Sequence, residues 1–113
     1  MVFVPANNQK GDDMQTEIQK MLIKNLTDNI VMLRSSLNLT QTELANIIGL
    51  SRHTLMAIEK KQREMTWITF LALVLVFIKN EGTNKLLNIL EIYTDDLNKI
   101  LVVEWNNEIP SEK

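Results

Sequence analysis

Two helix-start signatures stand eleven residues apart, at Thr40 and Ser51, with Gly49 just before the second. That spacing leaves room only for a short helix, a tight turn and a second helix. Thr40 and Glu43 make a capping box: the threonine oxygen accepts the Glu43 amide proton, and the glutamate carboxylate accepts from the Thr40 amide. The helix they open is about two turns long. Leu44, Ile47 and Ile48 fall on its inward side, and Ala45 is small enough for a neighbouring helix to come close. Gly49 follows where the chain must turn. Ser51 is the next good N-cap, and Leu55 and Ile58 give the second helix an inward face. Arg52, His53, Met56 and Ala57 remain outside on its first turns.

A short helix pair whose second member turns polar side chains outward has the form of a DNA-reading element. Leu39-Thr40-Gln41, Glu43-Leu44-Ala45, Gly49, Ser51-Arg52, Thr54 and Ile58-Glu59 resemble the lambda-repressor-like, Xre/Cro-type helix-turn-helix family. The resemblance extends more loosely over residues 26–78, roughly half of the chain. It implies an all-α protein built on a five-helix-type lambda-repressor-like DNA-binding domain at residues 26–80. Residues 1–25 would be an N-terminal arm and helical extension, and residues 81–113 C-terminal helices with a tail. The implied function is sequence-specific binding of double-stranded DNA by a transcriptional regulator, a repressor, acting as a homodimer with the helix that starts at Ser51 in the major groove.

By the same resemblance, Thr40, Gln41 and Ser51 hold the DNA backbone, helped by the amide protons of a helix N-terminus, and Lys60, Lys61 and Arg63 add phosphate contacts. Arg52 and His53 enter the groove, with Thr54 and Ala57 on the same face and Met56 at its edge. Arginine can give two parallel hydrogen bonds to guanine O6 and N7, a contact worth ~1 to 3 kcal/mol of discrimination. His53 can donate to a guanine or a phosphate, and protonation would tighten that contact. In the blander alternative Arg52 touches only phosphate and His53 is a solvated surface residue. Arg34 takes the place of the arginine that pairs with the glutamate near the end of the reading helix, here Glu59. Two positions depart from the family pattern: Lys61 stands where relatives usually place a glycine, and Met65 replaces the usual proline. A left-handed residue costs a non-glycine roughly 1 kcal/mol or more, so the loop from Lys60 to Arg63 is expected to differ in shape.

The net charge of −2 argues weakly against nucleic acid, because affinity for DNA is mostly cation against phosphate. Its distribution argues the other way. Residues 1–26 balance, residues 27–80 carry six cations against four acids, and residues 81–113 carry three against seven. The positive surplus thus sits on the candidate reader. Cations after a helix are also favoured by the helix dipole alone.

The start, MVFVPANNQKGDD, reads as a disordered arm or a short extended segment. It lacks both a basic leader and a long apolar stretch, which argues against a secretory signal. From Met14 the pattern turns helical: Ile18, Leu22, Leu26, Ile30, Leu33 and Leu37 form one stripe, with a break expected near Asn25. Thr66 can cap a further helix, WITFLALVLVFIKN, apolar around nearly its whole circumference and therefore needing cover on several sides. Its twelve-residue apolar run falls short of the ~20 residues of a membrane span. Glu81-Gly82-Thr83 should break it, Thr83 capping a helix with Leu86, Leu87, Leu90 and Tyr93 inward. Thr94-Asp95-Asp96 reads as another start, followed by Leu97, Ile100 and Leu101. These last helices either close the apolar helix within one chain or form a dimer interface. Val2-Phe3-Val4 and Leu101 to Trp105 are β-prone and allow a small pairing of the two ends.

With one histidine and no cysteine, neither disulfides nor thiolate chemistry is available, a reducing cytoplasm is compatible, and no metal-ligand spacing or glycine-rich phosphate loop appears. The expectation is a cytoplasmic protein without cofactor or metal, not an enzyme and not in the membrane. Three readings stay open: a repressor; an antitoxin-like relative whose flanks bind a partner protein; and a protein-interaction module working through its apolar C-terminal helices.

Overall fold

In a computed structural model, the backbone of residues 5–103 is described, and the side chains of residues 14–103. Among these residues the chain is all-helical, with six helices: α1 (Pro5–Ser36), α2 (Gln41–Ile48), α3 (Arg52–Glu59), α4 (Trp67–Lys79), α5 (Glu81–Ile89) and α6 (Asp95–Leu101). No helix among the described residues is long and apolar enough to cross a membrane.

The spine is α1, 32 residues long. Proline at its first position carries no amide proton to leave unpaired. Leu22, Leu26, Ile30 and Leu33 are fully buried along one stripe, and α3, α4, α5 and α6 all pack against it. The expected break at Asn25 is absent. Asn25 instead donates its side-chain amide to the Glu91 carbonyl at 2.9 Å, tying the middle of α1 to the turn before α6. The extended or disordered reading of residues 1–13 is also overturned from Pro5 onward, where the backbone is helical; Met1 to Val4 lie outside the described residues.

Both short helices of the central pair form where their caps require. Thr40 and Glu43 complete the capping box, and Ser51 Oγ accepts from the Thr54 amide. Within α2, Leu44 and Ala45 are buried and Ile48 partly so, whereas Ile47 is 56% exposed and does not face inward as its spacing suggested. Ala45 is buried with Leu44 in α2, which packs against α3 and α4.

Capped by Thr66, α4 buries Phe70, Leu73, Val74 and Phe77. Trp67 stacks on Phe70 with ring centroids 4.8 Å apart. The break after α4 differs from the sequence reading. Only Asn80 separates α4 from α5, and Glu81, Gly82 and Thr83 form the first turn of α5. Thr83 is not a cap: it is fully buried and donates its hydroxyl to the Phe77 carbonyl at 2.7 Å. Asn80 donates to the Val76 carbonyl and Asn84 to that of Ile78. Three side chains thereby satisfy carbonyls that the end of a helix leaves unpaired, which is how one residue suffices as a joint. The fold then doubles back, so α5 covers α4 within the same chain while α6, capped by Thr94, covers α1.

In this C-terminal part Leu87, Ile92 and Leu97 are buried, but Leu101 is 47% exposed. Tyr93 lies beyond α5 in the turn, half-buried, its hydroxyl donating to Asn98. No strand occurs among the described residues: Leu101 ends α6, and Val102 and Val103 are irregular. Val2 to Val4 and Trp105, the other half of the imagined pairing, lie outside the described residues, as does the tail 106–113.

Candidate nucleic-acid interface

The turn between α2 and α3 is set by one backbone conformation. Gly49 has φ +75 and closes α2, with the Leu50 amide reaching back to the Ala45 carbonyl at 2.8 Å. A Cβ there would meet nothing within 4 Å, so glycine is favoured by the dihedral and not by crowding. Leu55 and Ile58 are buried under α3 and fix which side it turns away. Arg52 and His53 lie exposed on its first turn, directly after the Ser51 cap; Thr54, Met56 and Ala57 are half-buried beside them. Among the described residues neither Arg52 nor His53 has a hydrogen-bond or ion-pair partner.

The far end of α3 is locked. Glu59, its side chain 4% exposed, accepts from Arg34 Nε at 2.7 Å and from a second guanidinium nitrogen at 3.0 Å. It also accepts from Gln41 Nε2 at 2.8 Å. Arg34 donates further to the Leu39 carbonyl at 2.9 Å. One carboxylate therefore binds the end of α1, the start of α2 and the end of α3 into a rigid unit. A fork-to-fork pair of this kind is directional as well as strong. The Arg34–Glu59 pairing implied by resemblance is present. The Gln41 contact was not foreseen: a lone glutamine at a helix start gives no sign of a partner eighteen residues away.

Gln41 thus has its side-chain amide engaged inside the protein. Thr40 is exposed but spends its hydroxyl and its amide on the capping box. At the other end of α3, Lys60, Lys61 and Arg63 are all exposed. Lys61 has φ +61. Its amide bonds to the Ile58 carbonyl and that of Gln62 to Ala57, a helix-ending motif whose left-handed residue is most often glycine. Its side chain reaches α1, where Lys61 Nζ sits 2.8 Å from Asp28, which also binds Lys24 at 2.9 Å. Hydrogen bonds from these two lysines hold the Asp28 carboxyl down to a pKa of about 2. Neither Asp28 nor Lys24 was singled out from sequence, although their i, i+4 spacing is a helix-surface pairing signal.

The candidate positions therefore fall in three places: Thr40 and Gln41 at the start of α2, where Gln41 meets Glu59 at the end of α3; Ser51, Arg52 and His53 at the start of α3; and Lys60, Lys61 and Arg63 beyond its end. Comparison with family models, with curated proteins and with solved structures returned no match for this chain.

Proposed function

We propose that the protein is a lambda-repressor-like, Xre-type helix-turn-helix regulator that binds double-stranded DNA as a homodimer and represses transcription, with α3 in the major groove. One observation supports this above the others: α3 is clamped at its far end by Glu59 while its first turn presents Arg52 and His53 without internal partners. A rigid helix holding out unpaired donors suits reading of base edges, since such contacts require fixed register. Gln41 and Ser51 would present backbone amides to phosphates at the starts of α2 and α3, with Thr40 beside Gln41 and its own amide held by Glu43, and Lys60, Lys61 and Arg63 would approach phosphates beyond the end of α3.

The test is selection of bound duplexes from a random pool, followed by Arg52→Ala measured on the selected operator and on a scrambled duplex at two salt concentrations. A base contact gives a loss confined mostly to operator, of ~1 to 3 kcal/mol. A uniform loss with a shallower salt slope would move Arg52 to the phosphates. No loss on either duplex would remove the reading.

The second reading, an antitoxin-like or protein-interaction relative, is favoured by a different observation. Ile89, Val102 and Val103 are 73%, 66% and 86% exposed in the C-terminal part, where Leu101, Val102 and Val103 make an exposed apolar run, and a contiguous exposed apolar patch marks an interaction surface. A toxin-like reading frame beside the gene, whose product binds this chain, would favour that reading.

A further inference from the structure

We propose that the groove between α1 and the connection from α3 to α4 binds a small organic anion, one negatively charged head on a flat apolar body. The groove has a volume of about 560 Å³, within the range of small-molecule sites. Its floor is apolar, formed by Ile23 and the buried Met65. Its walls carry four cations, Lys20 and Lys24 on α1 and Lys61 and Arg63 on the connection, against two acids, Asp28 and Glu64.

Two of these cations are already committed. Lys24 and Lys61 share the Asp28 carboxylate, which closes one end of the groove as an internal anion. The other two are available. Lys20 has only a loose pair with Glu17 at 3.9 Å, and Arg63 has no ion-pair partner among the described residues. An anion entering between them meets one free cation on each wall, while its body covers Ile23 and Met65. A DNA phosphate run is the poorer fit for this particular groove, because a phosphodiester backbone gains nothing from an apolar floor.

Lys61 and Arg63 are also the phosphate contacts of the function proposed above. Filling the groove should therefore weaken duplex binding; this coupling alone rests on that reading.

The probe is anilinonaphthalene sulfonate, titrated into the full chain without DNA, against phenylnaphthylamine, which has the same rings and no charge. Saturable one-to-one binding of the sulfonate is expected, with the neutral compound about ten-fold weaker. Amide shifts in NMR spectra should centre on residues 20–28 and 61–65. The double variant Lys20→Gln, Arg63→Gln alters only exposed side chains and should keep the fold while weakening the dye about five-fold. Equal binding of the neutral compound, shifts centred elsewhere, or undiminished binding by the double variant would each overturn the site. A double variant that keeps its dye affinity but shows a shallower salt slope on duplex would reassign both cations to DNA. Because the dye arms contain no DNA, failure of the regulator reading leaves them standing, and their failure leaves that reading intact. Duplex affinity unchanged at saturating dye would overturn the coupling.

Discussion

At the scale of single residues, three helix ends place a non-glycine in the left-handed region: Asn38, Lys61 and Glu91, at φ +57, +61 and +58. Asparagine tolerates this conformation, whereas lysine and glutamate pay for it with about 1 kcal/mol each. Glu91 is exposed and its side chain makes no ion pair among the described residues; its backbone is what is used, the amide donating to the Asn88 carbonyl and the carbonyl accepting from Asn25. Glu91→Gly should therefore stabilise by about 1 kcal/mol, a rise of roughly 4 °C in melting midpoint. An unchanged or lower midpoint would mean that the side chain supports the turn in some other way. Lys61 is a different case, since replacing it also removes the pair with Asp28. That pair has a pH signature. The folded pKa of Asp28, about 2, lies below its ordinary value of 3.8, so its contribution is fully present above about pH 4 and is lost as the pH falls toward 2. Asp28→Asn should accordingly lower the melting midpoint at pH 5 and match the unaltered protein near pH 2. A difference that did not shrink with acid would show that the carboxylate's charge is not what matters.

At the scale of the element, the one buried side chain among the three that bond carbonyls at the joint between α4 and α5 is Thr83. Thr83→Val keeps the shape of the side chain but leaves the Phe77 carbonyl without its donor. An unpaired buried acceptor costs about 1 to 3 kcal/mol, so urea unfolding should show a loss of that size with an unchanged slope. A loss within a few tenths of a kcal/mol would mean that water replaces the hydroxyl. This same joint marks where the sequence stops being readable. Helix starts were legible wherever a side chain caps its own third neighbour, as at Thr40, Ser51, Thr66 and Thr94, because such a cap is a local event. Thr83 has the same residue type but its hydroxyl turns backward to a carbonyl six residues earlier, and that choice depends on α5 folding over α4. Likewise Asn25 reads locally as a helix-weakening residue, yet its amide is used by a turn sixty-six residues on. In the candidate site Arg52 and His53 were legible as outward residues from the positions of Leu55 and Ile58. The Gln41–Glu59 contact and the Asp28 pairing with Lys61 were not, since both join elements far apart in sequence.

At the scale of the whole molecule, the unsettled apolar surface decides the assembly. The C-terminal helices cover α4 and α1 from within the chain, but one stripe of α4 stays open: Ile68 and Leu75, seven residues apart, are 79% and 58% exposed. Residues at that spacing lie on the same side of a helix, and the half-buried Leu71 lies between them. A stripe on one helix is the natural material of a two-fold interface, in which each copy offers the same patch to the other. On the proposed regulator reading, such a pairing would supply the two copies that a two-half-site operator calls for. Light scattering at micromolar concentration should therefore give the mass of a dimer. Leu75→Glu should give a monomer with unchanged helix content, because Leu75 is outside the core and the new charge would be buried only in the dimer. Operator affinity of that variant should fall while its weak binding to scrambled duplex persists, since phosphate contacts are made by each copy alone. A monomer mass for the unaltered chain would remove the dimer. A dimer that survives Leu75→Glu would place the contact elsewhere, with the exposed Leu101, Val102 and Val103 next to be altered.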